Sequence, residues 1–269
     1  MEVKQVKLIY FSPTGTTRKV LESIAKGIAV EDVEHINLTL QEEAQQAIPP
    51  FSDELVIMGA PVYGGRLPVD AINRFKKIKA SKTLAILIVV YGNREFKDAL
   101  LELKNLAIEL GFNPVAGGVF IGEHSFASKD VPIANGRPDN LDVQKAMDLG
   151  TKIKDKVTAL QSPNAQIDLE IPGRYPYESE ALSMAVSPVT RDDTCTVCGK
   201  CSSVCPTEAI SINESVTTKI ELCICCCACI KNCPTGARVW EDSMMKDIAR
   251  WLNENCSTRK EPQIFGIDV

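Results

Sequence analysis

No apolar run in this chain approaches a membrane span: the longest, residues 84–90, is far below the about 18 residues a bilayer helix needs. Residues 1–7 run straight into a strand pattern without a charged-then-apolar leader, so no signal peptide is predicted. Excess positive charge is missing too. The net charge is −5, which removes the electrostatic footprint of a general nucleic-acid binder. There is no Gly-x-Gly-x-x-Gly after the first strand pattern, and the second ends at Asn37-Leu38 without a clear ribose-binding acid, so a dinucleotide site is excluded. No Ser/His/Asp or paired-carboxylate constellation can be picked out beside the loops discussed below. What remains is ordinary: 45% hydrophobic and 24% charged residues over 269 positions, enough for about two domains with a sizeable core. A cytoplasmic protein with no membrane insertion and no nucleic-acid partner is expected.

Cysteine is the residue present in excess. Eight of the eleven fall into two runs, Cys195, Cys198, Cys201, Cys205 and Cys223, Cys226, Cys229, Cys233, each of the form Cys-x-x-Cys-x-x-Cys-x-x-x-Cys-Pro and closing on Pro206 and Pro234. This resembles the bacterial two-cluster ferredoxin pattern, in which three cysteines of a run hold one iron–sulfur cube and the fourth holds the other. The resemblance implies two [4Fe–4S] clusters, one on Cys195, Cys198, Cys201 and Cys233, the other on Cys223, Cys226, Cys229 and Cys205. The competing reading is a pair of structural zinc sites, which leaves the third cysteine and the Cys-Pro step unexplained. A disulfide scaffold finds no support in a chain unmarked for secretion. Cys225, Cys227 and Cys256 fit no ligand register and read as small buried thiols. Cys227 stands where Gly199 stands in the first run, so the backbone there must tolerate a side chain.

Ahead of the cysteines the pattern is α/β. Residues 6–11 form a short apolar β-type run, and Val20, Leu21, Ile24, Ala25 and Ile28 then recur at helical spacing. Residues 33–38, 55–58, 84–90 and 115–121 read as further strands. Helices are expected over 69–79, 95–110 and about 139–160, with a poorer one over 39–48. Five near-continuous apolar strands alternating with helices predict a doubly wound parallel sheet covered on both faces. Residues 161–186 carry Pro163, Pro172 and Pro176 and form a connector, part of which is expected to pack through Tyr175, Tyr177, Leu182 or Met184. The cysteine domain spans 187–240 as a small α+β unit with an internal repeat. Residues 241–269 hold an amphipathic helix, with Met245, Ile248, Ala249 and Leu252 on one face, and a tail.

The first strand turns into its helix through Ser12-Pro13-Thr14-Gly15-Thr16-Thr17. Hydroxyls and backbone N–H groups at a helix N-terminus can hold a phosphate, and Gly15 lets the backbone approach it. An ordinary N-cap is the alternative, but one hydroxyl would suffice for that. The loop resembles the FMN-phosphate loop of flavodoxins, a likeness taking in residues 1–160. Two further loops match by position. Ala60, Pro61, Val62, Tyr63, Gly64 and Gly65 follow the third strand, where flavodoxins lay a loop along the flavin ring; Tyr91, Gly92, Asn93 and Arg94 follow the fourth. The resemblance implies FMN, with Tyr63 or Tyr91 as stacking candidates; the alternative for each is a tyrosine that caps the sheet. Gly64-Gly65 tolerates the positive φ that a peptide flip requires. His124, in the loop after the fifth strand, is a candidate proton donor or a local hydrogen-bonding residue, and His35 reads as structural.

The chain thus resembles a flavodoxin–ferredoxin fusion, which implies an electron-transfer flavo-iron-sulfur protein with a redox protein or oxidoreductase as donor or acceptor. The alternatives are an FMN-dependent reductase of an organic substrate fed by the clusters, and a redox sensor built on Cys225, Cys227 or Cys256.

Overall fold

The structure is a computed structural model that describes residues 3–52, 54–160, 167–178 and 184–267. Strands β1 (Gln5–Tyr10), β2 (Asp32–Asn37), β3 (Leu55–Pro61), β4 (Thr83–Tyr91) and β5 (Phe112–Ile121) alternate with helices α1 (Thr16–Ile28), α2 (Gln41–Ala44), α3 (Val69–Phe75), α4 (Ala99–Glu109) and α5 (Asn140–Ala159). All five strands pair in parallel, in the spatial order β5-β4-β3-β1-β2. The order reverses at β1, whose two neighbours are β2 and β3, and a ligand crevice is expected at the carboxyl ends there.

All nine residues of β4 are buried, and the alternation of its side chains feeds two cores. Leu87 and Val89 join Phe75 and Leu103 on the face covered by α3 and α4, while Ile86 and Ile88 join Leu21, Ile24 and Leu149 beneath α1 and α5. A strand with both faces covered must be apolar throughout, as its sequence is. Truncating Ile88 to alanine would cost about 2–5 kcal/mol. Helices α1 and α5 meet backbone to backbone: a Cβ at Gly27 would stand 1.9 Å from the Met147 carbonyl oxygen, and one at Gly150 2.1 Å from that of Ile24. Only glycine permits that approach.

Within the connector, Leu169 is buried and its carbonyl accepts from Lys104 Nζ at 2.6 Å. The Asp98 carboxylate accepts from the N–H groups of Arg174 and Glu178, and Tyr177 Oη accepts from Asn105 Nδ2 at 3.0 Å. The connector is therefore strapped along α4. Tyr175 stays exposed, and Leu182 lies outside the described residues.

The cysteine unit comprises β6 (Val189–Thr190), α6 (Lys200–Ser203), β7 (Ile210–Ile212), β8 (Val216–Thr218), α7 (Ala228–Lys231) and β9 (Arg238–Val239), with β6 antiparallel to β9 and β7 to β8. The repeat in sequence is a repeat in backbone. Val197 and Cys225 have φ of 52° and 54°, and Gly199 (φ 81°) and Cys227 (φ 61°) precede α6 and α7 in the left-handed region. Cys227 thus adopts a conformation that favours glycine.

Helix α8 (Ser243–Asn255) follows, and β10 (Gln263–Phe265) then pairs antiparallel with β5, Ile264 opposite Gly118. The sheet has six strands: the five parallel ones the pattern predicts and a sixth from the tail. Three residues are too few to show a strand period, which is why β10 escapes a reading of sequence. The cysteine unit is consequently an insertion tethered to the larger unit at both ends.

Candidate functional site

The turn after β1 leaves donors without protein acceptors. Gly15, φ 82°, is the N-cap of α1 and, as a glycine, offers no side chain to cap it. Ser12 is engaged locally, its N–H donating to Thr39 Oγ1 and its Oγ accepting from the Arg18 N–H. Thr17 Oγ1 is buried with no hydrogen-bond partner. A buried orphan hydroxyl in the first turn of a helix is costly without a partner, and an anion at that helix N-terminus would supply one. The loop therefore fits a phosphate group.

A cavity of about 790 Å³ opens beside this turn. Thr14 and Thr16, then Pro61, Val62, Tyr63, Gly64 and Gly65, then Tyr91, Gly92 and Arg94 line it. Ser12, Gly15, Thr17, Ala60 and Asn93 stand outside its lining. Ala60 is packed in the core. Asn93 is 1% exposed, its amide donating to the carbonyls of Cys256 (2.6 Å) and Thr258 (2.8 Å) while Oδ1 accepts from the Lys260 N–H (3.3 Å). It ties the loop after β4 to the returning tail, a partnership beyond the reach of local pattern.

Tyr63 and Arg66 exchange backbone hydrogen bonds across a tight turn whose tip, Gly64 and Gly65, has φ of 64° and 89°. The Tyr63 hydroxyl is pushed well above its ordinary pKa by burial, then by the thiols of Cys226, Cys227 and Cys225. Tyr91 is buried and packs edge-on against Phe96, centroids 5.8 Å apart. His124 packs against Gly92, where a Cβ would come within 2.3 Å of its ring. Its Nδ1 accepts from the Phe126 N–H at 3.0 Å, so the proton of the neutral ring sits on Nε2. Burial, then the charges of Lys231 and Arg94, push its pKa down to about 4. His35 is engaged with Tyr10, Oη to Nδ1 3.3 Å.

The opposite wall comes from elsewhere in the chain. Met184, Ile224, Cys225 and the α8 residues Met244, Ile248, Trp251 and Leu252 complete the cavity, and Arg94 lies over the Trp251 ring at 5.5 Å. The amphipathic pattern of α8 marks a packing face, yet nothing local says what that face covers.

The cysteines gather into two cavities. Cys195, Cys198, Cys201 and Cys233 line one; Cys205, Cys223, Cys226 and Cys229 line the other, with Cys227, which fits no ligand register, beside them. Each set takes three members from one run and the fourth from its sister. Four sulfurs standing around a hollow suit a group with volume, such as an iron–sulfur cube, whereas zinc needs its sulfurs about 2.3 Å from a single point. Cys198 is exposed and Cys226 and Cys229 are buried, so the first cavity faces outward and the second inward. Ile224 lines both the second cavity and the large one, with Cys225 on the large side and Cys223 and Cys226 on the other. Of the remaining thiols, Cys227 Sγ accepts from Trp240 Nε1 at 3.3 Å, and Cys256 packs with Ile133 and Leu252. Arg238, which lines both cysteine cavities, is absent from any ligand motif; comparison of the two repeats alone could single it out.

Residues 7–126 match the family model of a flavodoxin domain and residues 188–211 that of a 4Fe-4S binding domain. Among solved structures the chain is similar to a flavodoxin from the domain Archaea at 17% identity over 57% of this chain and 99% of that one, TM-score 0.37. Oxidised flavodoxin 1 from Bacillus cereus is 20% identical over 58% and 99%, TM-score 0.41, and a Fusobacterium nucleatum flavodoxin bound to flavin mononucleotide is 19% identical over 57% and 99%, TM-score 0.40. None of the curated proteins matches the chain.

Proposed function

Starting from a chain that joins a flavodoxin domain to a 4Fe–4S ferredoxin domain, with FMN and [4Fe–4S] clusters as its cofactors, we propose that it relays electrons between the clusters and FMN within one molecule. Bound clusters carry single electrons and a flavin one or two, so the combination splits or collects pairs. The observation that carries the reading is Ile224, one residue in the walls of both the large cavity and the second cysteine cavity. The two cofactor sites are separated by a side chain instead of by solvent.

The chain's own residues supply the rest. Thr14, Thr16, Thr17 and the N-terminus of α1 would hold the phosphate, the loops at 61–65 and 91–94 would flank the ring, and α8 would keep water from its outer side. Two clasps hold the units together: Arg74, donating to the Pro206 carbonyl, and Lys231, donating to Glu123 Oε1 (2.5 Å) and the Ala127 carbonyl (2.7 Å). Exposed Cys198 marks the outward cluster as the place where a separate redox protein or oxidoreductase exchanges electrons. We place the functional boundaries at 1–160 together with β10 for the flavin unit and 187–240 for the cluster unit. Among the described residues no helix is long and apolar enough to cross a membrane, and all eleven cysteines are free, which suits a reducing, cytoplasmic setting.

Reduction of an organic substrate is a second reading. It rests on His124, whose Nε2 proton belongs to a ring on the wall of the large cavity.

The test is rapid anaerobic reduction of the full chain, followed by absorbance and freeze-quench EPR after iron, sulfide and FMN have been assayed. A relay predicts flavin–cluster equilibration at a rate independent of protein concentration. A rate rising in proportion to concentration means that electrons pass between molecules and sinks the proposal. Turnover of small organic acceptors without a protein partner would favour the second reading.

A further inference from the structure

Beyond their Cys-Pro steps the two cysteine runs differ at a buried position. Cys205-Pro206-Thr207-Glu208-Ala209 ends in Ile210, and Cys233-Pro234-Thr235-Gly236-Ala237 ends in Arg238. Both side chains are inside, Ile210 at 5% and Arg238 at 2% exposure. A cation thus occupies the place of an apolar residue in the sister repeat.

The protein neutralises this cation poorly. Nη1 donates to Thr190 Oγ1 (2.8 Å), and Nη2 to the Pro188 carbonyl and Thr218 Oγ1 (both 2.9 Å), all uncharged acceptors. Nε is buried without any partner. A guanidinium held this way is unfavourable unless negative charge lies close by. The nearest acceptor of that kind is sulfur: Nη2 stands 3.9 Å from Cys229 Sγ, and the side chain lines both cysteine cavities.

We propose that Arg238 is a shared cation that raises the reduction potentials of both clusters, and raises more that of the cluster held by Cys205, Cys223, Cys226 and Cys229. Reduction adds negative charge to a cluster, and a fixed positive charge in a poorly screened interior stabilises that form. The larger effect falls on the inner cluster because Nη2 points at one of its ligands. Electrons arriving at the outward cluster are thereby drawn to the one beside the large cavity. The inference rests on the reading that the two cavities hold [4Fe–4S] clusters.

The experiment is an EPR-monitored redox titration of the full chain, purified anaerobically, as wild type, Arg238→Met and Arg238→Lys, after iron and sulfide assay of each. Wild type lacking eight irons would overturn the cluster reading and this inference with it. With clusters present, Arg238→Met should lower both potentials, the inner cluster's reduced-to-oxidised ratio at a fixed poise falling about tenfold, which for one electron is about 59 mV. Arg238→Lys should stay near wild type. Unchanged potentials in loaded Arg238→Met, or equal shifts in both variants, would overturn the charge argument. Should Arg238→Met fail to hold its clusters, pulsed EPR of reduced wild type labelled with ¹⁵N-arginine decides: a guanidinium nitrogen coupled to the cluster spin supports the proposal, and no coupling refutes it.

Discussion

Arg74 is the point at which the docking of the two units can be weighed. Only 6% exposed, it lies near the Phe11 ring at 5.3 Å. Its Nη1 donates to the carbonyls of Leu38 (2.6 Å) and Thr39, and its Nη2 to the carbonyl of Pro206. The first two bonds lie within the larger α/β unit; the third crosses to the residue after Cys205. A hydrogen bond from a charged donor contributes about 1.5–3 kcal/mol, and 1.4 kcal/mol is tenfold in an equilibrium. Arg74→Leu should therefore favour opening of the junction by about 10- to 100-fold. Hydrogen exchange read by mass spectrometry measures this directly, since local opening sets the rate. Peptides covering 204–209 and 224–228 should exchange faster by that factor. Peptides within β4 should respond only to the loss of the Leu38 and Thr39 bonds. An unchanged rate at the junction, or the same acceleration in both units, would refute the assignment of Arg74 as the clasp.

Replacing Cys205 by serine should damage the cluster of Cys223, Cys226 and Cys229 and leave the other, as EPR of the reduced protein would show; loss of the first run's cluster alone contradicts the crossed sets. Thr17→Val removes a hydroxyl that has no protein partner, so thermal stability without flavin should not fall while FMN affinity drops about tenfold; scanning calorimetry checks the first arm and titration calorimetry the second. His124 in the unfolded chain binds a proton near pH 6.5, but in the fold only near pH 4. Between those values the unfolded state holds more protons, so this residue's contribution is fully present above pH 6.5 and is lost as pH falls towards 4, about 3 kcal/mol in all. Denaturant unfolding of wild type and His124→Gln should converge as pH falls through that window, and parallel curves would exclude the effect.

The parallel strands were legible because buried β residues must be apolar on both faces, and the phosphate turn because hydroxyls and glycine collect where an anion meets a helix N-terminus. The cysteine sets were legible because ligand spacing is covalent bookkeeping along the chain. Asn93 shows where local reading stops: its neighbours in sequence place it beside the flavin, yet the tail at Cys256 and Thr258 takes up its amide. By itself the sequence determined which cofactor each unit is built for, since those signals lie within a few consecutive residues. Only the tertiary structure decided that α8 roofs the large cavity, that β10 closes the sheet, and that Arg238 stands between the cysteine sets. Each of these depends on contacts between distant segments, whose burial and hydrogen bonds leave no period in the sequence.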